Sequence, residues 1–406
     1  MNKVIVTNIG MLATPQGSGP KKGAEQGKIE MLKDAWVLIE DGLISQVGTG
    51  PAPEADQVID AQGHLVTPGL VDAHTHLIFG GWRQNELGMK LHGKTYLEIQ
   101  NAGGGIQSTT NATRQSTEEE LTQKAARALD EMMGFGVTTC EAKSGYGLAT
   151  EHELKALQVI KNLNDRHAMD IVATFMGAHL VPAEYKSNRA EYIRLVCEEM
   201  MPKVKEQGIA KYCDVFCEAD TFTMEESRQV LEAGLKYGLR PKIHADEIEA
   251  IGGSVLAGEI GAISAEHLIV CPPEGIASMA KGGVIACLLP ATSFYLGAVF
   301  APARDMVNAG VPVAMATDFN PGSCPCLNLQ FVINLGCLKY KLTPEEVLTA
   351  VTLNAASAID MADKVGSVEP GKQGDLVIWD APDLDYICYR MGSNLAKTVI
   401  KKGVVL

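Results

Sequence analysis

Residues 1 to about 62 alternate apolar and polar positions in short runs, VIVTN, DAWVLIEDGLISQVG and QVIDAQGHLV, the period-two pattern of strands with one buried face. Pro15 to Lys28, rich in Gly, Pro, Lys and Gln, separates the first two runs and reads as an exposed loop. Asp41-Gly42, set between two apolar runs, predicts a hairpin. The same alternation returns in GDLVIWD (Gly374 to Asp380) and AKTVIKKGVVL (Ala396 to Leu406). Strands at both ends of the chain predict one small β-sandwich domain built from the two termini, residues 1–66 plus 361–406.

Between them, over residues 67–360, short apolar strands alternate with longer amphipathic segments, the pattern of repeated βα units around a parallel sheet. Eight strands are predicted: Leu70 to Ala73, Val137 to Glu141, Ile171 to Gly177, Cys213 to Cys217, Pro241 to Ala245, Ala262 to Ala265, Gly283 to Leu288 and Pro312 to Thr317. Glu118 to Met133, His152 to Asn164 and Ala190 to Lys205 are among the helical intervals. Eight units in about 250 residues predict a (β/α)8 TIM barrel as the catalytic domain. A doubly wound open sheet is second choice, because no GxGxxG follows the first strand.

Composition narrows the class. At 406 residues and 46% apolar, the chain suits one large barrel plus a minor domain. No run of about 18 uncharged apolar residues predicts a membrane span, and MNKVIVTNIG has no signal-peptide pattern, so cytoplasmic residence is expected. The ten cysteines sit in apolar strand-like segments and read as buried free thiols. Cys324 and Cys326, in SCPC, have metal-like spacing, but no second pair stands nearby to complete a tetrahedral site. A net charge of −14 argues against a nucleic-acid partner and points to a small-molecule ligand; an anionic one needs a locally placed Arg.

In a (β/α)8 barrel the chemistry sits at the C-terminal ends of the strands. Here strand one ends in His74 and His76, whose two-residue spacing aims both imidazoles to one side. Strand two runs through Glu141 into SGYG with Tyr146, strand three ends at His179, strand four at Glu218, strand five at His244 followed by Asp246 and Glu247, strand six at Glu266-His267, and strand eight at Asp318. Each has a plain structural reading: core histidines, a helix N-cap at Asp318, a solvated carboxylate at Glu247. Together, imidazoles and a carboxylate on converging strand ends suit a Zn²⁺ or Fe²⁺ ion and metal-assisted hydrolysis.

PGLVDAHTHL, KIHADE, SAEHL and MATDFNPG resemble the amidohydrolase superfamily, and GGWRQNE, NAGGGIQSTTNATR, KSGYGL, FMGAHLVP and FNPGSCP resemble its ring-opening branch in histidine degradation. The resemblance covers nearly the whole chain. It implies that His74, His76, His244 and Asp318 hold one zinc or iron (Fe2+/Fe3+) per subunit. Strand four, CDVFCE, lacks the bridging Lys of two-metal relatives, so a mononuclear site is expected. The resemblance further implies catalytic roles for Glu247, His267 and Asp318, substrate binding by Arg83, Tyr146 and His179, and a product-binding turn at Asn320, Gly322 and Ser323. It also implies a small anionic substrate, no membrane partner and a homodimer. The glycine-rich segment Asn101 to Ile106 reads as a lid or a plain connector. Rival readings are a cytosine- or guanine-deaminase-like enzyme and a non-catalytic scaffold that has lost its metal.

Overall fold

The computed structural model describes residues 3–94, 98, 99 and 102–406. Among these, sixteen strands form two eight-stranded sheets. The first joins both ends of the chain. Its strands lie in the order 404–405, 396–401, 376–379, 65–68, 3–14, 30–40 and 43–49, with 57–60 also paired to 3–14. Residue alternation explains its packing. Leu376 and Ile378 join Val4, Val6, Ile9, Val37 and Ile39 in the sheet's own core, whereas Val377 and Trp379 face the barrel cluster. The sheet runs through Pro68 on the N-terminal side, two residues beyond the expected boundary, and resumes at Leu376.

The second sheet is the barrel. Leu70–Asp72, Val137–Lys143, Asp170–Ala178, Tyr212–Cys217, Arg240–Ala245, Ser264–His267, Ile285–Leu288 and Val313–Met315 pair in parallel, each with the next. A parallel bridge between Thr75 and Phe319 brings strands one and eight together. All eight expected strands are present; the sixth lies two residues later than the sequence suggested. Helices Glu118–Gly134 and Met224–Lys236 both begin with capping boxes, Thr117/Glu120 and Thr223/Glu226. The expected helix from Ala190 is interrupted by a π-helical turn, Val196–Met200. No helix among the described residues is long and apolar enough to cross a membrane.

Pro15 to Lys28 is the largely exposed connection its composition suggested, with one short turn, Gly23–Gly27, and an exception at Gln26. Gln26 is fully buried, donates to the Val313 carbonyl (3.0 Å) and accepts the Val313 N–H (3.1 Å), sealing the lower end of strand eight. A polar Gln is there because the strand end has backbone groups that need partners. At the opposite sheet, Lys401 ties the two sheets together. Its ammonium contacts Asp170, at the start of barrel strand three, at 2.6 Å, and Asp375, just before the terminal-sheet strand Leu376–Trp379, at 2.7 Å. Lys401→Met leaves Asp375 buried without its counter-ion and is expected to destabilise the fold by about 3 kcal/mol in denaturant titration.

Candidate metal centre and active site

At the C-terminal rim of the barrel, strands one and eight are tied by a buried carboxylate. Asp72 accepts the Thr317 N–H (3.1 Å) and hydroxyl (2.6 Å). The Asp318 N–H donates to the His74 carbonyl (3.1 Å), and the His76 N–H to the Phe319 carbonyl (2.9 Å). These bonds bring residues some 240 positions apart into register. Asp246, His267 and Asp318 all have left-handed backbones, with φ of 51°, 69° and 58°. Non-glycine residues pay about 1 kcal/mol or more there, and such strain clusters at functional rims.

Four candidate ligand atoms meet. His74 Nε2 lies 3.3 Å from His76 Nε2 and 3.4 Å from Asp318 Oδ1, and His76 Nε2 lies 3.2 Å from His244 Nε2 and 3.6 Å from Asp318 Oδ1. Ligands at about 2.1 Å from a tetrahedral ion stand about 3.4 Å apart, so these spacings fit zinc-like coordination. The donors are in the right chemical state. Glu266 accepts from His74 Nδ1 (2.8 Å) and Asp214 from His244 Nδ1 (3.0 Å), which leaves each Nε2 lone pair facing the centre. Burial, aided by nearby cationic and imidazole groups, keeps His74 and His76 well below the usual histidine range, hence neutral. Asp318 Oδ1 is buried without a hydrogen-bond partner, while Oδ2 accepts from Thr292 (2.6 Å). A cation among these atoms satisfies both the lone pairs and the carboxylate oxygen.

His267 and Glu247 flank this centre. His267 forms a second metal-competent group with His74 and Asp318, and its Nε2 lies 3.6 Å from Glu247 Oε2. Burial, then the charges of Asp318 and Glu218, push the Glu247 carboxyl up to about 8. Its loop is held by Glu218, which accepts the N–H groups of Glu247, Ile248 and Glu249 at 3.2, 2.9 and 3.0 Å. On the other side His179 stacks on His76 with ring centroids 5.0 Å apart and donates through Nδ1 to the Gly145 carbonyl (2.9 Å). Tyr146 sits edge-on to His179 at 5.1 Å. Its loop turns through Gly145 at φ 112° and is gripped by buried Glu153, which accepts the N–H groups of Gly145, Gly147 and Leu148.

Arg83 lies over the turn that follows Asp318. Its Nη1 is 2.1 Å from where a Cβ on Gly322 would stand, so a side chain there would displace the guanidinium. The Arg83 fork already engages buried Glu86, Nε to Oε1 at 2.9 Å and Nη2 to Oε2 at 3.0 Å. In the turn itself the Asn320 side chain bonds its own backbone neighbours. Asn320 Oδ1 accepts the Gly322 and Ser323 N–H groups (2.8 and 2.7 Å), and Asn320 Nδ2 donates to the Asp318 carbonyl (2.8 Å). Cys324 donates to the Thr317 carbonyl, and among the described residues neither it nor Cys326 joins a metal-competent cluster. Of the glycine-rich segment, Asn101 lies outside the described residues, and Gly105 opens a helix, Gly105–Gln115, with its N–H on Glu86 (2.6 Å).

Reasoning from sequence missed Asp72, Asp214, Glu86, Glu153 and Thr292, and placed Glu266 at the end of strand six without assigning it a partner. The available signal was alternation: Asp72 precedes His74 by two residues, so both project to the same side of strand one.

The sequence profile of the amidohydrolase family matches residues 65–406. An imidazolonepropionase from Alkaliphilus metalliredigens is 51% identical over 99% of this chain and 97% of its own length. Another, from Geobacillus kaustophilus, is 50% identical over 100% of this chain and 98% of its own. Among solved structures, zinc-complexed atrazine chlorohydrolase from Arthrobacter aurescens superposes with a TM-score of 0.74 at 18% identity, covering 99% of this chain and 95% of its own. Guanine deaminase from C. acetobutylicum gives 0.70 at 18% identity, with full coverage of both chains. The shared fold, the near-complete match at half identity and the His-rich centre agree: the chain belongs to the amidohydrolase family and, within it, to the imidazolonepropionases.

Proposed function

We propose that this protein opens the ring of 4-imidazolone-5-propanoate by hydrolysis, giving N-formimidoyl-L-glutamate in histidine degradation, with one zinc or iron ion held by His74, His76, His244 and Asp318. The observation that carries the proposal is the clustering of these ligand atoms, His76 Nε2 lying 3.2 Å from His244 Nε2, 3.3 Å from His74 Nε2 and 3.6 Å from Asp318 Oδ1, in a chain half identical to imidazolonepropionases along its whole length. Within strand four no lysine stands between Tyr212 and Cys217, which supports a single ion. A divalent ion bound there supplies a Lewis acid and lowers the pKa of water toward neutrality.

The residues divide the remaining work. Asp318 and neutral His267, whose imidazole burial holds well below the usual range, orient the attacking water and accept its proton. Glu247, its carboxyl raised toward 8, holds a ring nitrogen and delivers a proton to it as the amide C–N bond opens. Tyr146 and His179 wall the ring on the side of His76, and the turn of Asn320, Gly322 and Ser323 receives the glutamate end of the product. Arg83 offers the positive charge that an acidic protein otherwise lacks for the substrate's propionate. The domain division, homodimerisation and a cytoplasmic location, all expected from the sequence, remain parts of this proposal.

Arg83→Lys keeps the charge but loses the planar fork that Glu86 holds in place. Steady-state kinetics are expected to show KM raised at least about tenfold with metal content unchanged. An imidazolone lacking the propionate is expected to be an equally poor substrate for the parent and the variant. Unchanged KM in Arg83→Lys, or efficient turnover of the truncated ring, removes Arg83 from substrate recognition.

A further inference from the structure

Below the metal ligands, inside the barrel, lies a layer of charged residues that no step above uses. Glu141 and Lys143 on strand two, Asp214 on strand four, Lys242 on strand five and Glu266 on strand six are all fully buried. They form one continuous chain of contacts. Lys143 Nζ lies 2.8 Å from Asp214 Oδ2 and 2.8 Å from Glu141 Oε2. Lys242 Nζ lies 3.1 Å from Glu141 Oε1 and 3.5 Å from Glu266 Oε1. The Ser264 hydroxyl also donates to Glu266. The two ends of the chain are the carboxylates that accept from His244 Nδ1 and His74 Nδ1.

A barrel interior is ordinarily filled by branched apolar side chains. Burying five charges costs more than that, and well-packed apolar replacements are often neutral or stabilising. Stability alone therefore does not account for the layer. Its position does: its side chains reach the candidate ligand rings at the Nδ1 atoms of His244 and His74, on the side of each ring away from the centre-facing Nε2.

We propose that Lys143 and Lys242 are positioning residues for the metal ion. They anchor Asp214 and Glu266 so that each carboxylate accepts one Nδ1–H and fixes the tautomer and tilt of His244 and His74. Two further features support this. Every carboxylate in the layer lies within 3.5 Å of a lysine ammonium, Lys143 donating hydrogen bonds to Glu141 and Asp214 and Lys242 standing in charge contact with Glu141 and Glu266. The lysines also act across strands, Lys143 on strand two serving His244 on strand five through strand four, which makes ligand geometry a property of the closed barrel. The inference rests on the metal reading of the four-ligand cluster.

The test uses the full chain stripped of metal, with zinc itself as probe and competition against a fluorescent chelator as readout, alongside the melting temperature of the metal-free protein. Lys143→Met and Lys242→Met are expected to weaken zinc binding 10- to 100-fold, the usual range for outer partners of metal ligands. The increase in melting temperature on adding zinc should shrink accordingly. Should neither folded variant be obtained, Lys143→Gln and Lys242→Gln, which keep a donor but remove the charge, decide the matter in the same zinc competition, with a several-fold loss or more expected. A merely structural layer predicts a lower melting temperature of the metal-free variants with zinc affinity within twofold of the parent, and that result overturns the inference. Failure of the parent protein to bind zinc or iron is a different result and contradicts the metal site itself.

Discussion

A His244→Ala variant is expected to lose turnover of 4-imidazolone-5-propanoate by at least about 10⁴-fold, about 5.5 kcal/mol of transition-state stabilisation. In the proposed site the ring supplies one of four ligand atoms, and its Nε2 stands 3.2 Å from that of His76. Its loss also frees Asp214 from the Nδ1–H it accepts, while Lys143 still holds that carboxylate in place. The fold should survive, because the Asp214–Lys143 pair remains balanced. Metal analysis and kcat of the purified variant check this together. One equivalent of tightly bound metal with turnover within tenfold of the parent would show that His244 is not a ligand.

Glu247→Gln should lower kcat by about 10² to 10⁴ while leaving metal content unchanged. The amide keeps the shape of the side chain and its loop, which Glu218 secures through backbone groups alone. What it loses is an acidic proton. In the metal-free protein burial, then Asp318 and Glu218, place the Glu247 carboxyl at about 8. A neighbouring dication draws that value down, so proton donation is expected to fail as pH rises through a value at or below 8. The parent enzyme therefore has an alkaline limb in its kcat profile that Glu247→Gln lacks. An identical profile in the variant would assign that proton to another group.

Much of this site could be read along the chain because a parallel barrel places chemistry at predictable points. Each strand was recognisable as an apolar run, and the residues closing six of the eight, His74, His179, Glu218, His244, His267 and Asp318, are all buried at the strands' C-terminal ends. The charged layer beneath was hidden by the same logic. Lys143, Asp214 and Lys242 sit inside strands where a charge looks like an interruption, and their partners are distant: Lys143 and Asp214 are 71 residues apart, His74 and Glu266 are 192. Alternation links Lys242 to His244 and Ser264 to Glu266 on inward-facing positions, but it does not say which carboxylate meets which imidazole. Side-chain engagement was equally invisible. Arg83 looked available for a carboxylate, and Glu86, one helical turn on, holds its fork. Asn320 looked like a donor to ligand, and it knits its own turn. Gln26 lies in a segment of loop composition, yet the open backbone of strand eight recruits it to the core.

The most direct test of a single-metal, ring-opening hydrolase is turnover by the parent protein itself. The metal-free chain is titrated with zinc or iron(II) in the presence of 4-imidazolone-5-propanoate, reading imidazolone absorbance, N-formimidoyl-L-glutamate and ammonia in the same samples. Absorbance should fall only when metal is present, activity should saturate at one equivalent per chain, and each ring consumed should yield one N-formimidoyl-L-glutamate without ammonia. Stoichiometric ammonia release, saturation at two equivalents, or full activity in chelator would contradict it.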